Sequence, residues 1–328
     1  MSVSGSRVHA RAAAMLVLAT ACWAVSFPVM RVLSFHQPTL LAGTTNSWFL
    51  SALGVGCRFF VAGLCLIPLC GRRMRYLTRS EIAQGVGLGI FGSLGMLFQM
   101  DGLAHTDAST SAFLTQCYVL VLPLWQSLVE RRPPSRPVIV ACGVVVAGVA
   151  ILKGMTWRDL RLGRGEIETI IASLFFTGQI LWLQRPAYEG NDVGRFTTVM
   201  FFVMALCMAP VVAVTAPNLS ACWRAYASLP SLTFLALLVG VCTLGGYLLM
   251  NHWQRKVTAS EAGLIYCSEP VFASLLALIL PVWLSRFADV NYPNEAITWR
   301  LLVGGGLILV SNLIVQIKVA PTTTPEAA

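Results

Sequence analysis

Apolar residues along this chain fall into long runs separated by short polar loops. Ten runs can be read, at about 12–33, 50–70, 82–104, 108–129, 137–153, 166–186, 196–217, 229–251, 258–281 and 299–318. Each approaches the ~20 residues that an α-helix needs to cross the hydrocarbon of a bilayer. With no water there to bond the backbone, a helix is the structure that satisfies it within one segment. The pattern predicts an all-α integral membrane protein with ten transmembrane helices.

Composition agrees. Of 328 residues, 56% are hydrophobic and 11% charged, against about 25% charged in soluble domains, and the mean hydropathy is +0.73. The N-terminal stretch has Arg7 and Arg11 before an apolar run, as a signal peptide would. The run continues past Trp23 to Leu33, however, so an uncleaved first helix is expected. The ends, before Arg11 and after Lys318, read as mobile.

The net charge of +9 does not point to nucleic acid, because the basic residues sit in short loops and form no stripe. With the N-terminus inside, the inner loops and ends hold 14 Lys and Arg and the outer ones 7. That bias predicts both termini in the cytoplasm and an inner (plasma) membrane location. The loop at 153–164 runs against it, with Lys153, Arg158, Arg161 and Arg164 on the outer side. Trp48, Trp157, Trp223 and Trp299 stand at span ends, as an interfacial belt does.

The chain also repeats itself weakly. "SLGMLFQMDGLAH" from Ser93 can be laid on "TLGGYLLMNHWQR" from Thr243, and "DASTSAFLTQCYV" from Asp107 on "TASEAGLIYCSEP" from Thr258. Five spans separate equivalent positions. Five is odd, so the second half, 166–318, is expected upside down relative to the first, 12–153. Inverted repeats of this kind are characteristic of secondary transporters, with the solute site near midplane between the halves. The overlay sets Tyr118 opposite Glu269 and Asp101 opposite Asn251.

Glu269 and Pro270 stand together about eleven residues into the ninth run. A charge at that depth costs at least ~2.5–3.5 kcal/mol. Glu269 is therefore expected to face a wet cavity as a substrate contact or proton-coupling group, or else to be a buried carboxyl satisfied by hydroxyls. Pro270 is expected to kink the helix and free the carbonyl of Tyr266. Arg58 is the candidate counter-charge, with snorkelling to the interface as its alternative. Arg31 reads as an interface anchor. Asp101 is a candidate gate or entry contact near the end of the third helix. Among Gln99, Gln116, Gln179 and Gln184, the deepest are Gln116 and Gln179, which are expected to line the cavity. Trp23, Ser26, Trp182, Tyr118, Tyr247 and Tyr266 offer aromatic walls and hydroxyls, with ordinary packing as the competing reading. Gly143 to Gly148 and Gly304 to Gly306 predict close pairing of the fifth and tenth helices, with a homodimer contact through them as a further expectation.

Other chemistries find little support. The ten cysteines lie mostly inside apolar runs, with no CxxC and no Cys/His cluster, so packing is their expected role. His9, His36, His105 and His252 lack ligand spacing, and neither H-E-x-x-H nor a Walker motif is present. No cofactor or metal is implied.

The residues also resemble a known family, the EamA family of the drug/metabolite transporter superfamily. "ACWAVSFPVMR" is similar to its opening helix and "CRFFVAGLCLIPL" to its second. "LAHTDASTSAFL" and "QRKVTASEAGLIYCSEPVFASLLAL" are similar to its junctions of helices three to four and eight to nine. "VERRPPSRPVIVACGVVVAGVAIL" resembles its link into a glycine-rich fifth helix. The resemblance spans about 12–318 and implies transport of small metabolites through a central cavity without ATP hydrolysis. The chain departs from the family in having Pro123 where members place a proline near Tyr118, and in about ten extra residues, "SRFADVNYPNEAI", before the last span. Proton-coupled export of an amino acid or related amphipathic compound is the expected function. A facilitative exchanger, a multidrug permease, an intramembrane enzyme and a scaffold are the alternatives.

Overall fold

Length and apolarity decide which segments become helices. The computed structural model describes residues 3–42, 45–129, 131, 133–154 and 161–319. Arg132, Trp157 and Arg158, counted among the loop charges and the interfacial belt, and the tail from residue 320 lie outside them. In chain order the apolar helices are α1 (Val8–Leu40), α2 (Ser47–Tyr76), α3 (Arg79–His105), α4 (Ala108–Trp125), α5 (Arg136–Leu152), α6 (Arg164–Leu183), α7 (Val193–Thr215), α8 (Leu229–Lys256), α9 (Glu261–Ala277), α10 (Leu280–Ala288) and α11 (Trp299–Ile314). Among the described residues α1–α4 and α6–α8 are long and apolar enough to cross a membrane, which makes seven. The pair α9 and α10 passes that test jointly, bent by 58°, and α5 and α11 are shorter apolar helices. Each falls on a run read from the sequence except α10, which starts at the end of the ninth run and continues into the extra residues beyond it. The protein is a multi-pass, all-helical membrane protein.

Caps set several of the boundaries. Asn46 accepts a hydrogen bond from the Phe49 backbone N–H at 2.8 Å and starts α2. Thr78 and Glu81 form a reciprocal capping box ahead of α3, and Thr258 and Glu261 form another ahead of α9. Asp192 caps α7 through the Arg195 backbone N–H.

Four of the helices are interrupted, α1 only by a turn at Val25. Helical structure in α4 stops at Thr115 and restarts at Tyr118, and near the start of α9 it stops at Tyr266 and restarts at Glu269. In α8, residues Leu238–Gly245 wind as a π-helix, a form that recurs at functional sites. The expected kink at Pro270 therefore takes another form. Pro270 sits in the first turn of the restarted segment, and Pro281 in the first turn of α10. A proline there gives up an N–H that has no intrahelical partner anyway, so it starts a segment rather than bending a continuous one.

The helices pack as α3 along α6 and α7, α2 along α7, and α5 along α11. The α5–α11 contact is where the small residues act. A Cβ on Gly304 would lie 2.7 Å from the Gly148 carbonyl oxygen, and one on Gly148 would lie 2.9 Å from that of Gly304. Gly143 and Gly306, read as part of the same stripe, meet nothing within 4 Å. The glycine helices pair within one chain.

Candidate functional site

The interrupted helices converge on a central cavity. Its wall includes Trp23 and Ser26 of α1, Arg58 of α2, Tyr118 of α4, Gln179 of α6 and Tyr247 of α8, with Tyr266 and Glu269 of α9. The cavity holds about 70 Å³, room for a handful of waters at roughly 10–15 Å³ each by this measure. Eight of the eleven sequence candidates thus line it, and Gln116, Asp101 and Trp182 do not.

Gln116 sits behind the wall. Fully buried, it donates from Nε2 to Glu269 Oε2 at 3.3 Å. The wall position falls to Gln99, which donates to Thr115 Oγ1 at 3.1 Å. Of the two deepest glutamines Gln179 reaches the cavity and Gln116 does not, because the face a side chain takes decides whether it gets there. Asp101 lies outside the cavity. It is fully buried, accepts from Ser51 Oγ at 3.2 Å and forms an ion pair with Arg164.

Glu269 is 7% exposed and begins its segment, so its carboxyl lies at a helix N-terminus where the macrodipole favours negative charge. Tyr118 begins the equivalent segment of α4. Arg58, 2% exposed, donates from Nε to Thr243 Oγ1 at 2.5 Å, and its Nη1 lies 3.7 Å from Met30 Sδ. Thr243 belongs to the π-helical turn and also bonds the Leu238 carbonyl at 2.9 Å. Among the described residues no ion pair joins Arg58 to Glu269. The expected counter-charge pairing is absent, and both charges face the same space. Arg58 is buried among helices, not snorkelled.

Four of the five aromatic candidates, Trp23, Tyr118, Tyr247 and Tyr266, line the cavity. Trp23 meets Tyr247 and Tyr266 edge-on at 5.8 and 5.6 Å between centroids. Tyr266 donates to Gln254 Oε1 at 2.7 Å. The Trp23 ring lies against Gly246, where a Cβ would stand 2.3 Å from the indole nitrogen. The Trp23 indole N–H, the Tyr118 hydroxyl and the Gln179 amide nitrogen are buried without a hydrogen-bond partner. Trp182 packs away from the cavity, on Phe91 and Tyr188 and under Arg185. Met96, Thr115, Phe176, Ile180 and Met250 complete the wall. Their residue types are common in any apolar run, so no sequence signal marked them. Arg31, read as an anchor, instead ties α1 to α3 through the Leu103 carbonyl and lies 4.7 Å over Phe35. Among the described residues no group of three His, Cys, Asp or Glu side chains gathers to hold a metal.

Polar ties close the bundle at both ends. At one end Arg164 bridges Asp101 and Glu168, the latter at 2.7 Å, and Thr106 donates to Glu166 at 2.5 Å. At the other, Arg195 pairs with Glu81 at 2.8 Å and donates to the Tyr76 carbonyl, while Asn191 donates to Gln84 at 2.9 Å. Residues 10–153 match the model of the EamA-like transporter family. Over that stretch the chain is similar to the EamA-like transporter family. A protein from Archaeoglobus fulgidus described as an uncharacterized transporter is 24% identical over 309 residues, covering 93% of this chain and 85% of that one. A protein of known crystal structure superposes with a TM-score of 0.55 at 14% identity, covering 96% of each chain. At that identity the likeness speaks for the fold alone. The EamA-like stretch supplies Trp23, Ser26, Arg58, Gln99, Thr115 and Tyr118 to the cavity.

Proposed function

We propose that this chain is a secondary transporter, a non-enzymatic permease that moves a small amphipathic metabolite across the inner membrane by alternating access. The halves 12–153 and 166–318 act as inverted five-helix units with both termini cytoplasmic. Helix pairings support this reading, because they survive exchange of the halves. The contact of α3 with α6 has its mate in α8 with α1, that of α3 with α7 in α8 with α2, and that of α4 with α6 in α9 with α1. The breaks at Gln116–Cys117 and Cys267–Ser268 also fall at positions that the sequence overlay sets opposite one another. Broken helices at a midplane site are how such transporters present polar backbone ends to a solute.

The single observation that carries the reading is the cavity between the two restarted segments, with Glu269 and Arg58 on one wall and unpaired with each other. Two of the guanidinium's five N–H donors are engaged by Thr243 and Met30. The others suit a carboxylate, and Glu269 suits an amine or a proton. An amino acid or related zwitterion uses both, between aromatic walls. At about 70 Å³ the cavity falls short of the ~300–1,000 Å³ of small-molecule sites, so a solute enters by rearrangement of its walls. Proton-coupled export is the mode that a buried carboxyl at the centre fits best.

The test is a Glu269→Gln variant in proteoliposomes loaded with labelled amino acids and energised by a pH gradient. The variant is expected to lose gradient-driven movement while keeping the wild-type unfolding temperature. Proton dependence equal to wild type would assign Glu269 a packing role and leave facilitated exchange as the mode.

A further inference from the structure

A larger charged cavity lies away from Glu269. It holds about 410 Å³, and its wall includes Arg31, Phe35, Asp107, Ser109, Tyr292 and Glu295. Small-molecule sites run to about 300–1,000 Å³, a range that the central cavity does not reach.

The segment between α10 and α11 builds this wall. The Glu295 backbone N–H donates to the Ala277 carbonyl at 3.0 Å, and Asn294 Oδ1 accepts from the Val282 N–H at 2.8 Å. Two consecutive residues therefore satisfy the C-terminus of α9 and the N-terminus of α10, on either side of the 58° bend. The Glu295 carboxylate then reaches α4. It accepts from the backbone N–H groups of Ala108 and Ser109 at 2.9 and 3.3 Å and from the Ser109 hydroxyl.

That leaves Asp107 without its usual work. It occupies the N-cap position of α4, yet its side chain makes no capping bond. It is exposed and, among the described residues, its carboxylate has neither a hydrogen bond nor an ion pair. Tyr292 is only 6% exposed, packs on Phe35 with centroids 5.5 Å apart, and its hydroxyl has no partner. Arg31 is held by the Leu103 carbonyl and by the Phe35 face. Two carboxylates against one guanidinium leave the wall with a net negative charge, beside two aromatic rings. That combination suits an organic ammonium group, which gains both an ion pair and contact with ring faces.

We propose that this cavity is a second solute site, a vestibule for a small organic ammonium compound, with Asp107 as counter-charge and the Tyr292 hydroxyl as the orienting hydrogen-bond group. The site stands on its own geometry. Where the permease reading holds, it is a station that the solute occupies before or after the central cavity.

The test is equilibrium dialysis of the full-length protein in lipid nanodiscs with labelled 2-phenylethylamine, with 2-phenylethanol as the neutral competitor. Wild type is expected to bind the amine and to ignore the alcohol. Asp107→Asn should weaken binding at least tenfold at an unchanged unfolding temperature, and Tyr292→Phe severalfold. If Asp107→Asn does not fold, Tyr292→Phe decides. No binding to wild type at millimolar amine, wild-type affinity in the deciding variant, or equal competition by the alcohol would each overturn the site. Dialysis needs no gradient and no movement of solute, so its failure is separate from failure of the permease reading, which the Glu269 variant reports.

Discussion

One hydroxyl holds the buried arginine. Thr243 accepts from Arg58 Nε at 2.5 Å, and a valine has the same shape without the acceptor. Thr243→Val strands a charged donor in the interior, which costs at least ~1–3 kcal/mol. The unfolding temperature of the purified protein is expected to drop accordingly, with Thr243→Ser close to wild type. Glu295 makes a second case. Burial pushes its carboxyl above the ordinary range, and Asp107 adds to the push, against its bonds from Ser109 and Ala108. The folded chain then holds that proton more tightly than the unfolded chain, whose carboxyl titrates near ~4.3. Its contribution to stability therefore falls as pH rises from there through the raised folded value. Glu295→Gln cannot titrate, so its unfolding temperature should vary less with pH across that window. Equal slopes in the two proteins would refute the assignment. Glu269 was legible in the sequence because a charge deep in an apolar run is rare and costly. Glu295 was not, because its partners stand 187 and 186 positions away and an acidic residue in a polar insertion is unremarkable.

At the scale of elements, the runs named the helices but not where they break. Periodicity and length cannot distinguish a span that unwinds for two residues from one that does not. Pro270 drew attention to the right place, and its role reversed once its position in the first turn was known. Thr115 and Met250 reached the cavity wall through helix rotation, which composition does not encode. The glycine stripes were half legible. Spacing marked both helices, while only Gly148 and Gly304 lie at the crossing. Gly304→Ala places a Cβ 2.6 Å from the Leu152 nitrogen, so α5 and α11 must separate, at a cost of about 1–3 kcal/mol. Gly306→Ala meets nothing and should leave the unfolding temperature unchanged or slightly higher, since alanine favours the helix. Equal losses at both positions would mean that the contact is not where stability resides.

Over the whole molecule, α3 is tied at both ends, to α6 through Asp101 and Arg164 and to α7 through Glu81 and Arg195. A bundle that opens to each side in turn must release these ties one at a time, because interfaces of this kind switch between discrete arrangements. Arg164→Ala removes one tie and leaves the other, and Arg195→Ala does the reverse. Each should shift the population toward opening at its own end. Arg164 is partly exposed, so its pairs contribute on the order of 1 kcal/mol, which corresponds to a shift of roughly fivefold. The shift can be read at the cavity wall, with Gln179→Cys in a cysteine-depleted background labelled by a membrane-impermeant thiol reagent. In right-side-out and inside-out vesicles the two arginine variants should change the labelling rate in opposite directions. A change in the same direction in both would mean that the ties only hold the bundle together, and that access to the cavity is governed elsewhere.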